Sequence, residues 1–407
     1  MTINFLEVVS VILFRQIMSI LLYAFLTYLG IIQLYIIVRF LSIKFGHKFQ
    51  PEARKAVLIT GGTSGIGFLV AKHLHKLGYT IIVGYFNDRE PGYAPLLELS
   101  QQPNNALNNG ASHQRQRVFL VRMDVRSQES IENSYKEVNT LLDKHCLRLY
   151  CLINNAGISS SCPFEWLSPK SIRDVVETNL LGTMMVTRRF IFKIIENKGR
   201  IINVSSVINQ FPTTKLSVYG TTKCAVAYYS DALHEDIKVY GASCHCVVPG
   251  DFTVASNIIF SVWRAIQDSE SNLSEAERRL YAKSIEQSKL DCYRFIRMHL
   301  EVSGQKKSQV EEIYKISLPN LESVDPEKAS WLRRLARWYV GLTSGKSLEE
   351  SGIIDAYEQA VCLVNPPRRI YAGNRTYTYH MGPFSELLPR SVSTWFGKVV
   401  AIALQAE

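Results

Sequence analysis

Residues 55–85, KAVLITGGTSGIGFLVAKHLHKLGYTIIVGY, constrain the fold more than any other stretch of the chain. An apolar run enters a glycine-rich turn, an amphipathic helix follows and ends at Gly78, and a second apolar run closes the unit. Strand, helix and strand in that order form a β-α-β crossover, which calls for a parallel sheet with helices over its faces. Gly61, Gly65 and Gly67 write the pattern T-G-x-x-x-G-x-G into the turn. Such glycines let the backbone approach a pyrophosphate at a helix N-terminus, where unpaired N–H groups and the helix dipole favour an anion. The pattern alone is weak; lodged between a strand and a helix it weighs considerably more.

A second stretch, Gly199 to Lys223, reads as a short apolar strand ending in Ser205 and Ser206, a loop, and a helix start carrying Tyr219 and Lys223. Tyr-x-x-x-Lys puts a phenol and an ammonium on one helix face. A phenol ionises near pH ~10, and a positive charge beside it favours the phenolate. Tyr219 is therefore a candidate to exchange a proton with an alcohol or carbonyl oxygen. Ser206, thirteen residues earlier, is a candidate to hold that oxygen. Because Y-x-x-x-K also arises by chance on many helices, the rest of the chain must decide.

The 407 residues supply one large domain or two ordinary ones with an ample core. The formal charge of +10 is spread along the chain rather than gathered in a stripe, which argues against nucleic acid and for a membrane surface or general solvation. Eight cysteines form no CxxC pair, and Cys244 and Cys246 alternate along an apparent strand, so a shared sheet face explains them better than a metal. His73 and His75 on the first helix read as solvated or packed, since no partner motif makes them ligands, and Cys224 reads as packing.

Ile17 to Val38 holds 22 uncharged positions, enough for a helix to cross the hydrocarbon core. Neither a small-residue cleavage site nor an Arg- and Ser-rich amphipathic start accompanies it, so an uncleaved single-pass anchor is expected. The run Ile3 to Phe14, broken by Glu7, reads as interfacial. Arg39, Lys44, Lys48, Arg54 and Lys55 follow the span while only Arg15 and the amino terminus precede it, which puts the remainder in the cytosol. Asn272-Leu-Ser and Asn374-Arg-Thr are glycosylation sequons usable only with the opposite orientation.

With the glycine turn, Asp124 after one strand, Asn154-Asn155-Ala156-Gly157 after another, and Ser206, Tyr219 and Lys223, the chain resembles the short-chain dehydrogenase/reductase family over residues 55 to 257. Asn179 falls 27 residues before Ser206, the spacing family members use for a fourth catalytic residue. LYCLINNAGI, FEWLSPKSIRDVVETNLLGT, PGDFT and NPPRRIYAGN further resemble its membrane-bound branch of retinol, 17β- and 11β-hydroxysteroid and 3-hydroxybutyrate dehydrogenases. The resemblance implies an α/β fold, a Rossmann-type doubly wound parallel sheet of about seven strands, with an N-terminal transmembrane helix and a helical cap. The expected division is a membrane anchor over 1–48, a dinucleotide-binding core over 49–257, a cap over 258–350, and the end of the core with a last strand, RRIYAG, and an apolar tail over 351–407. The cap is weighed against a dimerisation or membrane-contact element, and the tail against terminal core packing.

The resemblance also assigns roles. Tyr219 becomes the general acid/base, Lys223 its electrostatic partner and a grip on the nicotinamide ribose, and Ser206 the stabiliser of the substrate oxygen. Asn179 supports a proton relay from a local irregularity in the helix Ser171 to Glu196. A nicotinamide cofactor would meet Thr60, Gly61, Ser64, Gly65, Ile66 and Gly67 in the turn, Tyr85 at the end of the second strand, and Asp124 and Val125 after the third. Asn155, Ala156 and Gly157, then Tyr219 and Lys223, then Pro249, Gly250 and Thr253 complete the expected contacts. The choice between NAD and NADP is open, with a lean to NAD from the branch. Tyr85 supplies no acid for the ribose, Ser64 is not basic, Thr63 replaces an Asp common in the branch, and Arg89 lies near enough to be a phosphate partner or simply solvated. The implied substrate is an apolar alcohol or ketone of the steroid or retinoid class, handled at the endoplasmic reticulum membrane, and the family's habits admit a homodimer. A catalytically degenerate membrane-bound scaffold is the competing reading. Residues 87–117, rich in Asn and Gln, read as a mobile surface loop.

Overall fold

The computed structural model describes residues 5–101, 116–210, 212–250, 252, 258–303, 306–314, 316–318 and 352–373. Its strands are β1 (Lys55–Thr60), β2 (Thr80–Tyr85), β3 (Val118–Arg122), β4 (Arg148–Asn154), β5 (Arg200–Val204), β6 (Ser243–Pro249) and β7 (Arg369–Ala372). They form one sheet in the order β3-β2-β1-β4-β5-β6-β7, and every neighbouring pair is parallel. Sequences such as AVLIT and LYCLIN are apolar at consecutive positions because both faces of a parallel sheet are covered. The strand order reverses between β1 and β4, the switch point at which such sheets open a crevice at their carboxyl ends.

Helices cover both faces. On one, α2 (Gly65–Leu77) and α11 (Ile353–Cys362) press Val70, Leu74, Ala356 and Ala360 onto Val57, Ile59, Ile81 and Val83. On the other, α4 (Gln128–Lys144), α6 (Gly182–Glu196) and α7 (Ser217–Lys238) press Ile131, Val138, Phe190, Ile194 and Leu233 onto Leu58, Ile82 and Leu152. A buried polar chain crosses this second layer. The Asn154 amide donates to Thr187 Oγ1 and to Asn203 Oδ1, both at 2.8 Å, and Asn203 donates to Ser230 Oγ at 3.0 Å. These bonds fix α6 and α7 against β4 and β5, while Asn154 Oδ1 is buried without a hydrogen-bond partner.

Four expectations change. The stretch read as a surface loop contains α3 (Tyr93–Gln101), because Leu96 and Leu99, three residues apart, meet the core beside α2; residues 102–115 lie outside the description. The run before the anchor is not a separate element, since α1 (Phe5–Lys44) is one continuous helix. Within it Leu13–Lys44 is long and apolar enough to cross a membrane, with a mean hydropathy of 2.1 and 11% of that window buried. His73 does have a partner, for its Nε2 lies 2.8 Å from Glu358 Oε2 on α11. Cys224 is exposed rather than packed.

The chain leaving α1 is stitched to the last helix and strand. Phe49 N donates to Cys362 O at 2.7 Å, Val364 N to His47 O at 2.8 Å, and the Arg39 guanidinium to Arg369 O. Beyond the sheet, α8 (Ile258–Asn272), α9 (Glu275–Ser303) and α10 (Lys307–Tyr314) fill the described part of the expected cap. The tail after Gly373, including SELLPRSVSTWFGKVVAIALQ, and the segment WLRRLARWYVGL lie outside the described residues. RRIYAG ends in β7, the edge strand.

Candidate active site

The glycine turn runs from the end of β1 into α2. Gly61 and Gly65 have φ of 61° and 51°, the left-handed region that glycine enters without a Cβ penalty. A Cβ on Gly67 would stand 2.4 Å from Gly61 O and 2.5 Å from Asn155 Nδ2, so no side chain fits there. The segment after β4 clamps this turn. Asn155 N and Ala156 N donate to Thr60 Oγ1 at 3.1 and 3.0 Å, and Asn155 Nδ2 donates to Thr60 O at 3.1 Å and Gly61 O at 3.0 Å. The first turn of α2 holds no acidic side chain, and its leading N–H groups have no intrahelical acceptor. Thr60, Gly61, Ser64, Gly65, Ile66, Gly67, Asn155 and Ala156 thus share one cradle whose glycines leave room where side chains would stand. A dinucleotide pyrophosphate fits that donor set.

Val125 borders the same crevice, beside Thr60, Ala156 and Gly182, and Asp124 precedes it in the chain. Gly182, where a Cβ would come within 2.8 Å of Val125 Cγ2, lets α6 start against it. The Asp124 carboxylate is held by Arg126, accepting from its backbone N, Nε and Nη2 at 3.0, 3.2 and 3.1 Å. Tyr85 meets Tyr93 edge-on at 4.8 Å between ring centroids and carries no acid to a ribose. Arg89 is exposed. Pro249 ends β6 and Gly250 N donates to Ala372 O at 2.8 Å; Thr253 lies outside the described residues. One residue the sequence reading passed over joins the turn: the Glu90 carboxylate accepts from Thr63 Oγ1.

The catalytic candidates meet across Gly157. A Cβ on Gly157 would lie 3.3 Å from Asn179 Oδ1 and 3.5 Å from Lys223 Nζ, so this glycine separates the two by little more than its own backbone. Asn179 sits in a π turn, Glu177–Leu181, between α5 (Pro169–Val176) and α6, the irregularity expected in this helix. Its amide reaches back to the chain after β4: Oδ1 accepts from Ile158 N and Nδ2 donates to Ile158 O, both at 2.9 Å. Nδ2 also donates to Thr222 Oγ1 at 3.2 Å, tying it to α7. Tyr219 and Lys223 occupy successive turns of α7, and Lys223 Nζ lies 5.6 Å from the Tyr219 ring centroid. Both side chains are buried. Lys223 Nζ donates to Val204 O at 2.9 Å and Ser205 Oγ donates to Lys223 O at 2.7 Å, which bolts α7 to the end of β5. Loss of water around its ammonium pulls the Lys223 pKa down to about 8. Ser206, next along, is buried, and its Oγ accepts from Ile208 N at 3.4 Å to cap the short 3₁₀ turn Val207–Asn209.

The cap packs beside these groups. Ile259, Phe260, Trp263 and Ile266 of α8 and Ile285, Cys292 and Ile296 of α9 share one apolar cluster with Cys162, Trp166, Val175 and Val218. Ser159 N donates to Ser261 Oγ at 3.2 Å, and Lys215 Nζ donates to Ser288 Oγ at 3.1 Å. Val218, the residue before Tyr219, is therefore part of the cap's floor.

A family model described as short chain dehydrogenase matches residues 55–259, half of the chain. The chain belongs to the short chain dehydrogenase family. Among curated relatives, mitochondrial D-beta-hydroxybutyrate dehydrogenase of Bos taurus is 32% identical over 209 residues, covering 51% of this chain and 57% of its own length. The 17-beta-hydroxysteroid dehydrogenase type 2 of Homo sapiens is 30% identical over 208 residues, covering 51% of this chain and 50% of its own. Both relatives fall in the branch of the short chain dehydrogenases that the motifs resemble. The chain spans about half the length of the curated relatives it matches, and the matched half is the one that carries the glycine turn and the Tyr219–Lys223 pair. Among solved structures, the 3-ketoacyl-(acyl-carrier-protein) reductase from Brucella melitensis complexed with NADH is similar at 24% identity and a TM-score of 0.41, over 50% of this chain and 77% of that one.

Proposed function

We propose that this short chain dehydrogenase is a membrane-anchored, nicotinamide-dependent oxidoreductase that interconverts an alcohol and a carbonyl on an apolar substrate. The observation that carries the reading is the convergence of Asn179 and Lys223 on Gly157, with Tyr219 one helical turn away and the glycine cradle on the other side of the same loop. A nicotinamide dinucleotide bound in the cradle supplies the hydride chemistry. Tyr219 takes the hydroxyl proton from an alcohol, or returns it to a carbonyl oxygen. The Lys223 ammonium favours the phenolate electrostatically, and burial strengthens that interaction. Ser206 donates to the substrate oxygen as charge develops there. Asn179, by gripping both Ile158 and Thr222, holds the loop after β4 against α7 so that these groups keep their spacing.

The apolar cluster next to Tyr219 supports an apolar substrate, and a hydroxysteroid or retinoid alcohol is the class that fits a bilayer-tethered site. The exposed apolar flank of Leu13–Lys44 supports a single-pass anchor, and the basic residues after it support a cytosolic catalytic domain on the endoplasmic reticulum. Leu181, Met185 and Phe192 near and along α6 and Tyr228 on α7 are exposed, which supports a homodimer through these helices. The decisive experiment is a panel of apolar and small water-soluble alcohols and ketones, assayed by nicotinamide absorbance with the full chain in lipid vesicles. Turnover of apolar alcohols that falls at least about 1,000-fold in Tyr219→Phe is expected. Equal rates in parent and variant, or turnover of water-soluble alcohols alone, would overturn it.

A further inference from the structure

The segment after β2 folds back onto the glycine turn. Gly92 N donates to Thr63 O at 2.7 Å, and a Cβ on Gly92 would meet Thr63 O and Phe68 Cδ2, each at 2.5 Å, so the closure is tight. The turn between is set by Asn87, whose O accepts from Glu90 N at 3.3 Å and whose Oδ1 accepts from Arg89 N at 3.0 Å. This brings the Glu90 carboxylate against the turn, where the Thr63 and Ser64 hydroxyls both donate to it. Ser64 stands at the N-cap of α2 yet makes no capping bond with its side chain. Burial pushes the Glu90 carboxyl up, and the two hydroxyl donors pull it back. An ionised carboxylate offers about four acceptor sites, so two donors leave it able to accept more.

In doubly wound folds the adenosine ribose lies between the glycine turn and the end of the second strand, where an acid accepts its hydroxyls or a base accommodates a 2′-phosphate. Tyr85 at that strand end has no carboxylate, and the Asp124 carboxylate already accepts three bonds from Arg126. Arg126 is in turn shared with Asp174 at 3.6 Å, so its charge is already met by two carboxylates. The geometry points to Glu90 as the residue that selects the cofactor, accepting the ribose hydroxyls of NAD and repelling the 2′-phosphate of NADP. The acid absent from both Thr63 and Tyr85 is thus returned to the ribose site by the loop that follows β2.

This rests on the proposed dinucleotide-dependent function, and the test separates the two. Dissociation constants for NADH and NADPH are measured by energy transfer from tryptophan to the bound nicotinamide, on the full chain in detergent, for the parent, Glu90→Gln and Glu90→Lys. The parent is expected to bind NADH at least about tenfold more tightly than NADPH. Glu90→Gln, which keeps an acceptor for Thr63 but removes the charge and turns one accepting oxygen into a donor, should bring that ratio near one, and Glu90→Lys should invert it. A role confined to counter-charging the α2 N-terminus would move both affinities together and leave the ratio alone. A parent that prefers NADPH, which needs no variant to detect, or a ratio unchanged in Glu90→Gln while NADH still binds, overturns the assignment and spares the function. Binding of neither cofactor by the parent overturns both.

Discussion

Four hydrogen bonds join Thr60 and Gly61 to Asn155 and Ala156 on the nucleotide side of the site, whereas α8 and α9 on the other side rest on an apolar cluster with few polar ties. The clamp has directional bonds, two from backbone N–H groups to the Thr60 hydroxyl and two from the Asn155 amide to backbone carbonyls, and at Gly67 a position where any Cβ would collide. The cap has side-chain volume. Directional bonds hold geometry to tenths of an ångström and tolerate little change, while apolar packing accepts swaps of similar volume at modest cost. One face of the fold is thereby committed to a single ligand shape, and the other is free to be reshaped for different substrates. Lys223 stands on the seam between them.

The largest expected effect comes from breaking the clamp. In Gly67→Ala the added methyl, 2.4 Å from Gly61 O and 2.5 Å from Asn155 Nδ2, forces the turn away from β4. Because a misplacement of about 1 Å can cost about 100-fold in rate, turnover should fall by roughly that factor, and cofactor affinity should weaken with it. Calorimetric titration with NADH checks this, and an affinity within about threefold of the parent would mean that the turn yields as readily as the cap.

How much of this contrast can be read from the chain follows from how local each part is. The turn is written within Thr60 to Gly67, so strand, glycines and helix are legible in one window. Tyr219 and Lys223 need only helical spacing, and their convergence with Asn179 follows from the family resemblance rather than from periodicity, since nothing in ETNLL by itself spells a π turn. Glu90 is not legible, because its role depends on a loop folding back through Gly92, and a single acid in NDREPGY looks like any solvated residue. The same holds for His73 and Glu358, 285 residues apart and joined only by the packing of α11 on α2. Helix α3 escaped because the two leucines that face the core, Leu96 and Leu99, are too few to mark a period before the sheet that receives them is known.

The cap predicts a smaller effect on the cofactor and a loss of a different kind. Ile296 is fully buried in the apolar cluster, and Ile296→Ala should cost about 4 kcal/mol of stability. If clamp and cap act separately, KM for an apolar substrate should rise while the NADH dissociation constant stays within about twofold. Thermal unfolding together with separate KM and cofactor titrations checks it. A cofactor affinity that falls alongside KM would show that the cap is wired to the clamp and that the two sides are one mechanical unit.

The seam gives the finest discrimination. Lys223 is held at about 8 in the folded chain against 10.5 for a free lysine, through burial. Between those values the unfolded chain binds more protons than the folded one, so this group makes stability rise with pH across the window. The parent measured against Lys223→Met should gain up to about 3 kcal/mol from pH 8 to pH 10.5, with the lost bond to Val204 O adding only a pH-independent offset. Denaturant unfolding of the cofactor-free protein at several pH values reads this, and a flat difference would mean that water already reaches the ammonium. Repeating the series in the two earlier backgrounds asks which side keeps water out. If the apolar cap does, Ile296→Ala lets Lys223 move back toward 10.5 and shrinks the gain; if the clamp does, Gly67→Ala has that effect and Ile296→Ala leaves the curve alone.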